Sequence, residues 1–138
     1  MVLQTHALPY RLTGDSIEVL LVTSRRKGKW ILPKGKIEVG ETAAERAVIE
    51  AFEEAGVRGT VSSMPLLASS LADLSQAQVY PLEVFEELEH WPEMAERQRG
   101  WFLLSNARAK LRDNSLRRAL DALKIQRSDA RLSEDPNA

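Results

Sequence analysis

The fold of this chain is decided by residues 30–57, WILPKGKIEVGETAAERAVIEAFEEAGV. A short apolar run, Trp30-Ile31-Leu32, stops at Pro33, and a turn rich in lysine and glycine follows. From Ala43 the apolar spacing becomes helical. Thr42 with Glu45 three residues on forms a capping box, and Gly56 suits the position just past a helix end, which predicts a helix over residues 43–55. Its side of small apolar residues, Ala44, Ala47, Val48, Ala51 and Ala55, can lie close against a sheet. Glu50 precedes both Glu53 and Glu54 by one turn, so the three carboxylates can point into one place.

Carboxylates held that close repel one another, and a cation is the simplest compensation. Oxygen ligands alone favour Mg²⁺ or Mn²⁺ over a softer metal. Three glutamates on a surface helix need no ligand in themselves; the glycine-containing turn before the helix makes the difference, because its backbone can offer a further hard oxygen. A cation there would polarise a phosphoryl group and lower the pKa of a bound water. Glu50 can hold that water or accept its proton. The chemistry is then hydrolysis of a phosphoanhydride by water, with no serine, cysteine or histidine nucleophile. The turn is not a Walker A loop, since Lys34-Gly35-Lys36 lacks its residue order.

On the N-terminal side, residues 4–10 read as a first strand with Pro9 at an edge or bulge, residues 12–16 as a turn, and Ile-Glu-Val-Leu-Leu-Val at 17–22 as a central strand buried on both faces. The basic loop 24–29 carries Arg25, Arg26, Lys27 and Lys29, and residues 34–42 are expected to be irregular. On the C-terminal side, strands are predicted at 57–63, within 77–88 and at 101–104, with loops at 69–75 and 86–96. A helical turn over 105–111 and a last helix to residue 125 follow, the latter packed by Leu116, Leu120 and Leu123. The fold class is α/β, a mixed sheet with helices packed on it.

The 138 residues suffice for one domain, read as residues 1–126 with a flexible tail at 127–138. A net charge of −1 gives no global attraction to a nucleic-acid duplex or an anionic membrane, so any anion site is local. There is no cysteine, which excludes disulfides and thiolate ligands. Neither a secretory leader nor an 18-residue apolar run is present, and cytoplasm is the default compartment.

Residues 35–57 resemble a Nudix box, whose pattern is G, five residues, E, seven residues, then R-E-U-x-E-E-x-G-U with U aliphatic. Gly35, Glu41, Glu50, Glu53, Glu54 and Gly56-Val57 match it. The resemblance runs from about residue 4 to 123 and implies an α/β/α sandwich and divalent-cation-dependent cleavage of a pyrophosphate linkage. It also implies roles: Glu53, Glu54 and the Lys34 carbonyl as ligands, Glu50 at the water and the metal, and Glu41 in support. A later glutamate, Glu89, Glu93 or Glu96, is a further candidate ligand or base.

One position departs from the pattern, because the box arginine that pairs with the glutamates in the family is Ile49 here. Arg46, four residues before Glu50, is the nearest replacement. The flanks resemble the subgroup acting on diphosphoinositol and diadenosine polyphosphates, and Arg25, Arg26, Lys27, Lys29, Lys34 and Lys36 suit such a substrate. The alternatives are an ADP-ribose or nucleotide-sugar pyrophosphatase, a catalytically weak phosphate-binding domain, and processing of RNA 5′ ends. Trp91 and Tyr80 are candidates to stack a base or to pack internally; His6 and His90 read as structural or surface residues. The oligomeric state is left as monomer or homodimer.

Overall fold

The computed structural model describes residues 4–66 and 78–134. Its elements run β1 (Gln4–Thr13), β2 (Ser16–Thr23), β3 (Trp30–Ile31), β4 (Lys34–Lys36), α1 (Ala43–Ala55), β5 (Val57–Val61), β6 (Gln78–Glu87), β7 (Arg99–Leu103), α2 (Leu104–Lys110) and α3 (Asn114–Glu134). The loop expected at residues 69–75 lies outside the described residues.

The strands form one mixed sheet in the order β3-β2-β1-β6-β5, with β4 paired to β1 and β7 to β2. The β1–β6 pair is parallel and the others are antiparallel. β1 changes partner along its length, with Gln4–His6 on β4 and the stretch from Tyr10 on β2. Pro9 falls in the gap between those two ladders, so a proline without an N–H fits inside a central strand and not at the expected edge. Ala7 fills the same gap by donating its N–H to the Pro33 carbonyl, 2.9 Å away.

Alternation along the strands divides the core between two faces. Ala7, Leu20, Val22 and Leu82 meet Ala47, Ala51 and Ala55 of α1 on one side. Leu8, Val19, Leu21 and Val79 meet Ala107, Leu120 and Leu123 of α2 and α3 on the other. Val19, Leu20, Leu21 and Val22 are wholly buried, as a strand covered on both faces requires. The α/β/α arrangement expected from the sequence is the one observed.

Two segments differ from expectation. Lys34–Lys36 is a strand on β1 where an irregular stretch was expected, because Gln4, Thr5 and His6 offer it a ladder from a distant part of the chain. α3 does not end near residue 125 but continues to Glu134 through the polar segment read as a tail. Arg127, close enough to the Tyr10 hydroxyl to depress its raised pKa, gives that extension a partner on the sheet.

Candidate active site

α1 starts and stops as its sequence dictates. Thr42 Oγ1 accepts the Glu45 N–H at 3.0 Å, and Gly56 turns out of the helix at φ 66°, in the left-handed region. The last carbonyls have side-chain partners from the late part of the chain. Arg99 Nη1 donates to Ala55 O at 3.0 Å, and its guanidinium lies 3.8 Å over Trp91. Trp91 Nε1 donates to Glu54 O at 3.1 Å. A cationic side chain at this helix end also suits the helix dipole. The indole of Trp91 is therefore committed to the helix terminus, and Tyr80 is buried with its hydroxyl on Gln78, so both belong to the internal-packing reading.

Glu50 and Glu54 are buried on the inner side of α1. Gly35 passes directly beneath Glu50, where any Cβ would collide with the carboxylate. Glu54 is held from two directions: Oε1 accepts the Lys34 N–H at 3.2 Å, and Oε2 faces Arg97 Nη2 at 3.3 Å. Burial, then the charges of Glu54 and Glu53, push the Glu50 carboxyl up to about 7. Burial likewise pushes Glu54 up to about 7, against the pull of Arg97 and the Lys34 N–H. His6, opposite Lys34 in the β1–β4 ladder, moves the other way, to about 4, through burial and the charge of Lys34, and reads as structural.

Of the late glutamates, Glu93 reaches the helix. Its N–H donates to Glu53 O at 3.0 Å, and its carboxylate accepts from Arg97 Nε at 2.9 Å and faces Arg25 at 3.4 Å. Glu96 meets Arg25 at 3.7 Å, and Glu89 is exposed. Arg25 thus ties the basic loop to the late turn, while Arg26, Lys27, Lys29, Lys34 and Lys36 stand exposed. Glu41 is engaged by both ends of the Arg46 guanidinium, which also meets Glu38 at 3.5 Å, and that pairing holds the Glu41 carboxyl below the usual range. Arg46 acts on Glu50 only through space, a weaker replacement for the missing box arginine than its spacing suggested. Arg97 went unnoticed in the sequence because its contacts depend on bringing residues 23, 54 and 93 together.

The donor set suits a hard divalent cation: acidic oxygens that burial and mutual repulsion leave undercompensated, beside a backbone turn that glycine keeps open. As they stand, no three acidic or histidine side chains among the described residues are gathered closely enough to hold one. A cation would have to draw them together.

A family model described as the NUDIX domain matches residues 4–123. The chain belongs to the Nudix family. Nudix hydrolase 18, mitochondrial, of Arabidopsis thaliana is 37% identical over 131 residues, covering 87% of this chain and 74% of that protein. Diphosphoinositol polyphosphate phosphohydrolase 2 of Mus musculus is 38% identical over 93 residues, covering 65% of this chain and 52% of its own length. Among solved structures, a C. elegans Ap4A hydrolase binary complex shares the Nudix fold at a TM-score of 0.69 and 20% identity, covering 94% of this chain and 99% of that one. An ADP-ribose pyrophosphatase from Streptococcus suis shares it at 0.60 and 22% identity, covering 88% and 90%. This chain is a Nudix pyrophosphohydrolase, an enzyme acting on acid anhydrides, and α1 is its Nudix helix.

Proposed function

We propose that the enzyme hydrolyses a phosphoanhydride bond in a heavily phosphorylated small molecule of the diadenosine polyphosphate or diphosphoinositol polyphosphate class, with Mg²⁺ or Mn²⁺. The observation that carries this reading is the line of charge from the basic loop to the Nudix helix, Arg25 to Glu93 to Arg97 to Glu54. It brings an exposed arginine, with Arg26, Lys27 and Lys29 beside it in the chain, to the edge of the carboxylate site, where substrate phosphates would lie.

In this reading Glu50, Glu53, Glu54 and the Lys34 carbonyl hold the cation, and Glu93 is the late-loop glutamate that joins them. When bound, the cation would polarise the attacked phosphoryl group and acidify water. Glu50 would orient an attacking water and take its proton. Glu41 supports Glu50 through Arg46. Gly35 gives the Glu50 carboxylate room against β4, and the exposed Lys34 and Lys36 on either side of it, whose side chains leave the opposite face of the strand, add positive charge near the site. The partner is a small molecule and not a duplex; the described residues contain no helix long and apolar enough to cross a membrane. Cytoplasm remains the proposed compartment, and a monomer or a homodimer the proposed assembly.

The test is turnover of diadenosine tetraphosphate, a diphosphoinositol polyphosphate, ADP-ribose and a nucleoside triphosphate, with Mg²⁺ or Mn²⁺, by wild type and Glu53→Gln. The first two are expected to be hydrolysed fastest, and Glu53→Gln to lose about 100-fold or more in kcat. Preference for ADP-ribose would reassign the substrate, and an active Glu53→Gln would sink the metal site.

A further inference from the structure

Glu54 and Glu93 come from elements far apart in sequence, and one buried side chain touches both. The Arg97 side chain is only 7% exposed. Each guanidinium nitrogen has a different partner: Nη2 faces Glu54 Oε2 at 3.3 Å, Nε donates to Glu93 Oε1 at 2.9 Å, and Nη1 donates to the Thr23 carbonyl at 2.9 Å. The Thr23 contact anchors the group, since Thr23 N–H donates to Gln98 O at 3.0 Å and Gln98 N–H donates to Thr23 Oγ1 at 2.9 Å. A rigid fork on a fixed stem is thereby aimed at two carboxylates. α1 has no cation of its own for this task, because position 49 is isoleucine and Arg46 is engaged by Glu41 and Glu38.

We propose that Arg97 is the positioning residue of this site, fixing Glu54 and Glu93 in one geometry through a guanidinium that is itself anchored on the Thr23 carbonyl. The proposal rests on the Nudix reading of the glutamate site and assigns Arg97 no contact with substrate. With Lys34 N–H on one oxygen of Glu54 and Arg97 on the other, the carboxylate plane is set and its remaining lone pairs are left for a ligand. A lysine there would keep the charge but not the fork, so it would orient one carboxylate at a time.

The experiment compares wild type with Arg97→Met, Arg97→Lys and Ile49→Arg. Its readouts are kcat and KM for diadenosine tetraphosphate, Mn²⁺ affinity without substrate by electron paramagnetic resonance, and the thermal midpoint. Arg97→Met is expected to lose about 10-fold or more in kcat and about 10-fold in Mn²⁺ affinity, with KM changed less than about 3-fold. Arg97→Lys should fall between it and wild type, and Ile49→Arg should stay within about 2-fold of wild type. Wild-type kcat and Mn²⁺ affinity in Arg97→Met would overturn the assignment. So would a gain of about 10-fold in Ile49→Arg, which would show that the site still lacks its cation. If Arg97→Met does not fold, Arg97→Lys decides: equality with wild type in both readouts overturns the role of the fork. If wild type leaves diadenosine tetraphosphate and the other panel substrates intact, the substrate reading fails, and the Mn²⁺ comparison still judges Arg97.

Discussion

Glu50 and Glu54 carry a consequence for stability that can be worked out in sign. Both carboxyls rise from 4.5 to about 7 on folding. Between those values the folded protein holds protons that the unfolded chain has released, so stability falls as pH rises through that window. His6 works oppositely: its drop from 6.5 to about 4 means that the unfolded chain binds a proton first, so its contribution is lost as pH falls below about 6.5. Above pH 6.5 the carboxylates act with little opposition. In EDTA the thermal midpoint is expected to fall between pH 6 and pH 8, by an amount corresponding to about 1–2 kcal/mol once residual contact with water is allowed for. Millimolar Mg²⁺ should restore more of it at pH 8 than at pH 6, and a midpoint that ignores both pH and Mg²⁺ would count against a compressed carboxylate site. Gly35 is legible in the sequence as the opening glycine of the box, and the structure gives the reason: the Glu50 carboxylate occupies the space a side chain there would need. Arg97 was not legible, since one arginine among several signals nothing until the chain is folded around it.

α1 was legible from end to end, because caps and a helical stripe are local and use residues within one turn of each other. β4 was not, because three residues containing two lysines and a glycine become a strand only when β1 offers a ladder. The C-terminal end of α1 lies between these cases: Gly56 announced the stop, but not that Arg99 and Trp91 would close over it. A Cβ at Gly56 would lie 2.7 Å from Trp91 Cγ, and the φ of 66° is costly for any other residue. Gly56→Ala is therefore expected to destabilise by about 2–3 kcal/mol in chemical denaturation. Arg99→Met, which frees the carbonyls of Ala55 and Leu88, should cost about 1–2 kcal/mol. Neutral effects would show that the helix end is not held as described.

Across the whole molecule, the continuous apolar run at residues 17–22 revealed a strand covered on both faces, while the order of strands did not follow from it. The parallel β1–β6 pair sets that order, and nothing near Thr5 or Gln78 advertises it. The two faces meet in shared strands, so they should unfold together: Leu20→Ala on the α1 side and Leu120→Ala on the α3 side are each expected to lower stability by about 3 kcal/mol. Both variants should retain one coincident transition by fluorescence and circular dichroism. Two separated transitions would mean that the layers are independent.

The central pair also bears on how the chain is made. Thr5 takes its place beside Gln78, more than half the chain later, so one edge of β1 stays without its permanent neighbour until then. Until β6 leaves the ribosome, β1 has β2 and β4 on one edge and an open, strongly apolar edge on the other. A chain stopped before residue 78 keeps its Nudix helix and all its box glutamates, yet exposes the strand edge most prone to pairing with another nascent chain.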